Sequence, residues 1–233
     1  MAAIHKMDKN KGLDLILHTP GGNVAATESL VDYLRSWFGT NVRAIVPQIA
    51  LSAGTMISLS CEKIIMGKHS SLGPIDPQLR GVPAHGVIEE FEQAKKEVSQ
   101  NQNSMFIWQP IIAKYTPTLI GECQKAIQWS KEMTEQWLET GMFRNDPNKK
   151  LKIDKIVAEM ADHAVTKAHA RHISIEKAKQ LGLDIIALED DDKLQDAVLS
   201  VHHTCIHTLS ATPAIKIIEN HSGVAFVSAI ERK

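Results

Sequence analysis

The sequence predicts an α/β fold made of parallel βαβ units. Two short apolar segments, 13–18 and 42–46, each lead into a turn of small residues, and the stretch between them is amphipathic with helical spacing. Parallel strands joined by a right-handed crossover have their carboxyl ends at the same edge of a sheet. We therefore expect the turn at 19–22 and the turn at 50–55 to lie side by side at that edge.

The second turn, ALSAGT at 50–55, places Ser52 between small residues where a helix is predicted to begin. Backbone N–H groups at a helix N-terminus can stabilise an oxyanion beside a serine hydroxyl. Each turn alone has a plain structural explanation, because glycine permits tight turns and small residues allow a helix to approach a sheet. The pairing of the two turns is what favours a serine hydrolase.

Apolar spacing and cap residues predict the remaining elements in order. The crossover helix is expected to bury one face, formed by Val24, Leu30, Val31, Leu34 and Phe38. A strand at 63–66 follows the serine helix. Later helices are predicted at about 85–102, 117–140, 153–165, 174–182 and 193–203, and later strands at 183–188, 214–218 and 224–230.

Several helix ends carry recognisable cap residues. Thr116 with Pro117 is expected to begin the helix that Gly141 ends, and Ser174 is expected to cap the helix that Gly182 ends. The elements predict a single domain, residues 1–233, with a nucleophile-bearing core at 13–80, a protruding helical arm at 84–141 and C-terminal helices and strands at 150–233.

Composition is that of a soluble enzyme domain. The chain of 233 residues is 43% hydrophobic, enough for a sizeable single core, and its net charge of −1 gives no reason to expect nucleic acid. No run of 18 apolar residues occurs, so we expect a soluble, cytoplasmic chain. Cys61, Cys123 and Cys205 lack paired spacing, which favours a reducing compartment, and Cys61 is expected in the core.

Three motifs in this order resemble the serine dehydrogenase proteinase family, which is related to signal peptide peptidase A and more distantly to the proteolytic subunit of Clp protease. The motifs are HTPGG at 18–22, ALSAGT at 50–55 and SSLGPIDPQ at 70–78, and the segment 174–184 resembles the family more loosely. The resemblance implies a Clp/crotonase-like spiral fold, a polypeptide substrate, no cofactor or metal, and a homo-oligomer that shares the helical arm.

The family pattern also implies an N-terminal piece. Relatives normally have a strand and a helix before the Pro-Gly-Gly strand, whereas this chain begins about a dozen residues before it. We expect that piece to be missing here, together with any membrane anchor that it carries.

The same resemblance implies that Ser52 is the nucleophile of a serine peptidase. The N–H groups of Gly22 and Ala53 would then hold the oxyanion, and Gly21 would shape the turn. The motif is not Gly-x-Ser-x-Gly, so the nucleophile elbow of α/β-hydrolases is not the expected model.

The general base for the serine stays open. A Clp-type histidine would fall near Asp76, where none is present, whereas the signal peptide peptidase branch uses a lysine from a later helix, which makes Lys95 and Lys96 the candidates. Helical periodicity does not choose between them, and an ordinary solvated helix face is the alternative. His69, His169 and His172 would be tested next.

Other functions remain open at this stage. A crotonase-like acyl-CoA hydratase or isomerase would use the same oxyanion hole with Asp76 as its carboxylate, and a catalytically silent oligomeric scaffold would need no base. His203 and His207 could share a helix face, but no His-Glu-x-x-His motif accompanies them, so no metal site is predicted.

Overall fold

The computed structural model describes residues 2–79, 81–161 and 172–230. The strands in this part of the chain are β1 (Leu13–Ile16), β2 (Val42–Val46), β3 (Ile49–Ala50), β4 (Lys63–Met66), β5 (Ser71–Leu72), β6 (Gln78–Leu79), β7 (Val82–Pro83), β8 (Ile185–Ala187), β9 (Ala214–Glu219) and β10 (Ala225–Ala229). The helices are α1 (Val24–Phe38), α2 (Ala53–Leu59), α3 (Ala84–Gln100), α4 (Met105–Ile112), α5 (Leu119–Thr140), α6 (Lys149–Ala161), α7 (Ile175–Leu181) and α8 (Asp192–Ala211).

The central sheet contains four strands in the order β1-β2-β4-β8, and every neighbouring pair is parallel. Ile45 lies opposite Ile16 on one side and Ile65 on the other, and Ile65 lies opposite Ile186. Helices α1 and α2 form the connections from β1 to β2 and from β2 to β4. The structure therefore confirms the predicted α/β fold of parallel βαβ units.

A second, smaller layer continues from the carboxyl edge of this sheet. Strands β3 and β5 pair in parallel, and Thr19, just beyond β1, forms a parallel bridge with Ala50. The Thr19 N–H donates to the carbonyl of Ile49 at 3.0 Å, and the Leu51 N–H donates to the carbonyl of Thr19 at 3.0 Å. These bonds hold the two turns side by side, as the sequence predicts.

Alternate residues of the central strands face two different helical layers. Ala44 and Val46 lie in the main core with side chains from α1 and α2, whereas Ile45 and Ile65 pack with Val198 of α8. This is the period-two alternation of a strand, and burial on both faces is typical of a parallel sheet.

The crossover helix α1 begins at the N-cap Asn23, and its buried side chains include Val31, Leu34 and Phe38. The predicted apolar face is confirmed at these three positions. The prediction is wrong at Leu30, which is 43% exposed because its side chain lies at the margin of the buried stripe.

The helical arm differs from the prediction in its outer part. Helix α4 was not predicted. It runs antiparallel to α3: Trp108 Nε1 of α4 donates to Glu97 at 2.7 Å, and Tyr115, just after α4, donates to Glu90. None of the α4 side chains is buried, and Phe106 is 73% exposed. The next helix begins at Leu119 rather than at 117.

Helix α5 reaches from the arm into the main core. Near its start, Leu119 and Cys123 pack with Ala84 and Val87 of α3, in a cluster apart from the central sheet. Toward its end, Met133, Trp137 and Leu138 belong to the main core with the sheet residues. The second half of the predicted arm helix is therefore covered by the core, so only α3, α4 and the first half of α5 lie outside it.

The C-terminal part follows the predicted cap residues. Ser174 Oγ accepts the Lys177 N–H at 3.4 Å, and Gly182 ends α7 with a left-handed φ of 98°. Asp191 caps α8, which extends to Ala211, beyond the predicted end at 203. Within the described ranges, no helix is both long enough and apolar enough to cross a bilayer.

Arg35 joins the ends of three helices. From the last turn of α1, its Nη2 donates to the carbonyls of Ser60 at 2.8 Å and Trp137 at 2.9 Å, and its Nη1 donates to Thr140 Oγ1 at 2.8 Å. Carbonyls in the last turn of a helix carry partial negative charge, which favours a cation there. The Trp137 carbonyl also accepts the Gly141 N–H at 2.9 Å. Gly141 leaves room for this contact, since a Cβ there would lie 3.0 Å from Nη2.

Replacing Arg35 by Met should lower the free energy of unfolding by about 2–4 kcal/mol, because carbonyls at two helix ends lose a charged donor. Urea denaturation measures the change. The matched control is Arg43→Met, which removes an exposed bidentate pair with Asp14 at 2.6–2.7 Å and should cost about 0–1 kcal/mol. Equal losses in the two variants would contradict this role of Arg35.

Candidate active site

The turn after β1 is closed by Thr19. Its Oγ1 accepts the Gly21 N–H at 3.1 Å, and α1 begins shortly afterwards at the N-cap Asn23. Gly21 has a φ of 128°, and a Cβ there would lie 3.0 Å from Ser52 Cβ. Both the backbone conformation and the lack of space therefore require glycine at 21.

Ser52 has a strained backbone. Its φ of 51° and ψ of −112° make it the one non-glycine residue with positive φ among those the structure describes. It directly precedes α2, and its carbonyl accepts the Met56 N–H at 3.0 Å. Such a conformation costs on the order of 1–3 kcal/mol and persists only where the surroundings impose it.

Close contacts around the serine impose this conformation. A Cβ on Gly54 would lie 2.5 Å from Thr19 Cγ2, so glycine lets α2 begin against the first turn. A Cβ on Gly73 would lie 3.2 Å from the Ser52 nitrogen, so the loop after β5 also packs closely against the serine backbone.

Thr55 joins the same elements by hydrogen bonds. Its buried hydroxyl donates to the Ala50 carbonyl at 2.7 Å and accepts the Gly73 N–H at 2.8 Å. The hydroxyl thus fixes the strand before Ser52 to the loop beyond it. Sequence reasoning did not assign Thr55 this positioning role, because a threonine inside a helix carries no signal of a distant partner.

The structure brings the predicted oxyanion residues together. A Cβ on Gly22 would lie 3.7 Å from Ala53 Cβ, and a Cβ on Gly21 would lie 3.5 Å from Ser52 Oγ. Throughout the described segments, neither the Gly22 N–H nor the Ala53 N–H donates a hydrogen bond within the chain. Two amides without an internal partner next to Ser52 are what the predicted oxyanion role requires.

The base candidates lie elsewhere. Lys95 Nζ is 2.6 Å from Glu92 Oε1 with its side chain 70% exposed, and Lys96 is also exposed. His69 and His172 are exposed, and His169 lies outside the described residues. The contacts of the described chain do not bring either lysine to Ser52.

Asp76 is buried, with 1% of its surface exposed. Two hydrogen bonds to the Ile75 backbone anchor its loop. The Ile75 N–H donates to the Met160 carbonyl at 3.0 Å, and the Ser130 hydroxyl donates to the Ile75 carbonyl at 2.8 Å. Such burial does not favour the acyl-CoA alternative, which needs a carboxylate exposed to substrate.

A histidine pair lies behind the first turn. His18 Nδ1 is 3.1 Å from Nε2 of His202, a buried residue of α8. Burial lowers the pKa of both imidazoles, and the His18 charge lowers the pKa of His202 further. Helix α8 therefore contacts the chain just after β1 through His202. Sequence reasoning considered His203 and His207 of this helix but did not assign a role to His202.

The strain at Ser52 predicts an order of stability for two variants. Ser52→Gly should be more stable than Ser52→Ala by about 1 kcal/mol, because only glycine relieves the positive φ, while its extra unfolded-state entropy offsets part of the gain. Urea denaturation of both variants gives the difference.

Ser58 provides the control for that comparison. It lies inside α2 and is fully buried, so Ser58→Gly should be less stable than Ser58→Ala by about 1 kcal/mol. If alanine is the more stable residue at both positions, the strain at Ser52 does not exist in solution.

Two uncharacterized proteins of Methanocaldococcus jannaschii are similar to this chain. One is 33% identical over 202 residues, which cover 79% of this chain and 57% of that protein. The other is 27% identical over 185 residues, which cover 79% of this chain and 56% of that protein. The chain therefore matches somewhat more than half the length of these relatives.

A family model described as a ClpP-like, SDH-type serine proteinase matches residues 1–192. The matched range includes both turns of the site, the central parallel sheet and the helical arm. It agrees with the resemblance seen in the three motifs and with a Clp/crotonase-like fold. On this match, and on the placement of Ser52 against the glycine turn, the chain belongs to the ClpP-like, SDH-type family of serine proteinases.

Proposed function

We propose that this chain hydrolyses peptide bonds through an acyl-enzyme on Ser52. The observation that carries the proposal is the strained Ser52, held at the start of α2 against Gly21 and beside two amides without internal partners. Strain of this kind is concentrated at functional sites. Membership of a serine proteinase family supports the same chemistry.

The proposed reaction has two halves. Ser52 Oγ attacks the substrate carbonyl carbon and gives its proton to a base, while the N–H groups of Gly22 and Ala53 stabilise the oxyanion. The base then protonates the departing amine, and the C–N bond breaks to leave an ester on Ser52. Water, deprotonated by the same base, hydrolyses that ester and restores the serine.

We also propose that the base is a lysine of α3, Lys95 or Lys96. An unassisted serine is a weak nucleophile, and a lysine amine accepts a proton only when its surroundings keep it neutral. Both side chains are exposed in the single chain, so this role requires assembly or substrate binding to cover one of them.

Assembly through the helical arm is the third part of the proposal. Helix α4 exposes Met105, Phe106 and Ile107 by 49%, 73% and 66%. Exposed apolar side chains grouped on a protruding element are typical of interaction surfaces. A second copy of the chain packed on α4 would cover them and would give a homo-oligomer that acts on polypeptides.

Replacing Ser52 by Ala should abolish labelling by a fluorophosphonate probe and lower casein hydrolysis by roughly a thousandfold, because the acyl-enzyme cannot form. Gel fluorescence and a peptide-release assay measure the two effects. Ser58→Ala, in the same helix, should label as the parent does. Labelling or parental hydrolysis by the Ser52 variant would exclude Ser52 as the nucleophile.

The lysine base predicts unequal effects of two neighbouring substitutions. Either Lys95→Met or Lys96→Met should reduce peptide hydrolysis by at least about a hundredfold, and the other should leave it near the parental rate, because one amine accepts the serine proton. Lys131→Met, on α5, is the control for loss of a charge. Parental activity in both α3 variants would rule out this base.

A further inference from the structure

The hairpin of β9 and β10 leaves apolar side chains uncovered on both faces. Its exposed large side chains are each 43–58% exposed, and they are Ile215, Ile218, Val224, Phe226, Val227 and Ile230. An isolated two-stranded hairpin is at best marginally stable in water. The hairpin also lies beyond residues 1–192, so the family match does not account for it.

The rest of the chain supports this hairpin at limited places. Strand β9 packs against α8, β10 contacts the segment Ala2–Ile4, and at the turn Asn220 Nδ2 donates to the Ala3 carbonyl at 2.6 Å. In the described part of the chain, β10 pairs with β9 on one edge and with no strand on the other. We call this second edge the outer edge of β10.

The backbone of β10 shows which groups lie on the outer edge. The Val224 carbonyl accepts the Asn220 N–H at 3.1 Å, and Phe226 lies opposite Ile218. In an antiparallel ladder the bonded residues alternate, so Phe226 bonds toward β9. The N–H and carbonyl groups of Ala225 and Val227 therefore point outward.

The sequence of β10 is compatible with pairing to itself. Residues 224–230 read VAFVSAI and contain no charge and no proline, the two features that usually block an edge strand. In an antiparallel pair centred on Val227, valine lies opposite valine, Phe226 lies opposite Ser228, and Ala225 lies opposite Ala229. Each large side chain then meets a small or β-branched one, and no like charges meet.

We propose that β10 pairs with β10 of a second copy of this chain, antiparallel and centred on Val227. The two hairpins then form one four-stranded sheet across a two-fold axis. Because Val227 lies opposite Ile217 in the hairpin, the central row becomes a continuous aliphatic stripe of Ile217 and Val227 from both copies. The outward N–H and carbonyl groups of 225 and 227 gain partners in the same arrangement.

A cysteine at the centre of the pair tests the register directly. In a bonded antiparallel pair the two Cα atoms are about 5.5 Å apart, which is within disulfide range. The full chain carrying Cys205→Ser and Val227→Cys should become mostly covalent dimer under mild oxidation, as measured on a non-reducing gel. Cys61 and Cys123 are buried, so they should contribute no background.

Ser228→Cys in the same background is the matched control. The Cα atoms of residue 228 in the two chains would be about 8 Å apart, because these residues are offset along the paired strands. That is too far for a disulfide, so cross-linking should be at least tenfold lower. Absence of cross-linking at Val227→Cys, or equal cross-linking at both positions, would overturn the proposal.

A second pair of variants measures affinity and separates this interface from the helical arm. In a Phe106→Ser background, Val227→Lys should weaken dimerisation at least tenfold in sedimentation equilibrium, because two lysines would face each other across the axis. Ile215→Lys adds the same charge to β9 away from the axis and should leave the dimer unchanged. A monomeric Phe106→Ser parent, or equal loss in both lysine variants, would contradict pairing through β10.

Discussion

The close approach of two turns is the constraint on which this structure depends. The backbone of Thr19 bonds to Ile49 of β3 and to Leu51 just after it, which places the first turn directly against the residues that begin α2. The two turns lie so close together that a Cβ on Gly21 would be 3.0 Å from Ser52 Cβ, and a Cβ on Gly54 would be 2.5 Å from Thr19 Cγ2. Glycine is therefore required at these two positions because the turns approach closely, and its role there is not to make the chain flexible.

The strain at Ser52 follows from the same contact. The serine lies between the glycine turn, the start of α2 and the loop that contains Gly73, and Thr55 bonds two of these elements together. The backbone cannot relax without separating them. Although the sequence lacks the Gly-x-Ser-x-Gly motif, the chain thus reaches a sharp strand-to-helix turn of the kind in which a nucleophile projects away from its own backbone.

Local signals in the sequence were sufficient for much of the fold. The bounds of β2 and β4, and the caps at Ser174 and Gly182, were predicted because apolar runs and cap residues report local structure. Helix α4 was missed, since its uniform apolar character has no periodicity and Pro110 lies within it. The small neighbours of Ser52 made it a candidate nucleophile, but they did not predict its positive φ, because tertiary contacts impose that conformation. The environments of Lys95 and Asp76 likewise depend on distant elements.

The pairing of β4 with β8 has a consequence for how this protein is made. Ile64 lies opposite Ile185, so a large part of the chain separates two neighbouring strands of the central sheet. During synthesis, one edge of β4 therefore has no strand partner until the segment that contains β8 has left the ribosome. Contacts of such high sequence separation slow folding and leave apolar edges open to wrong partners. The interval between translation of these two strands is the period in which a molecular chaperone would protect the nascent chain most.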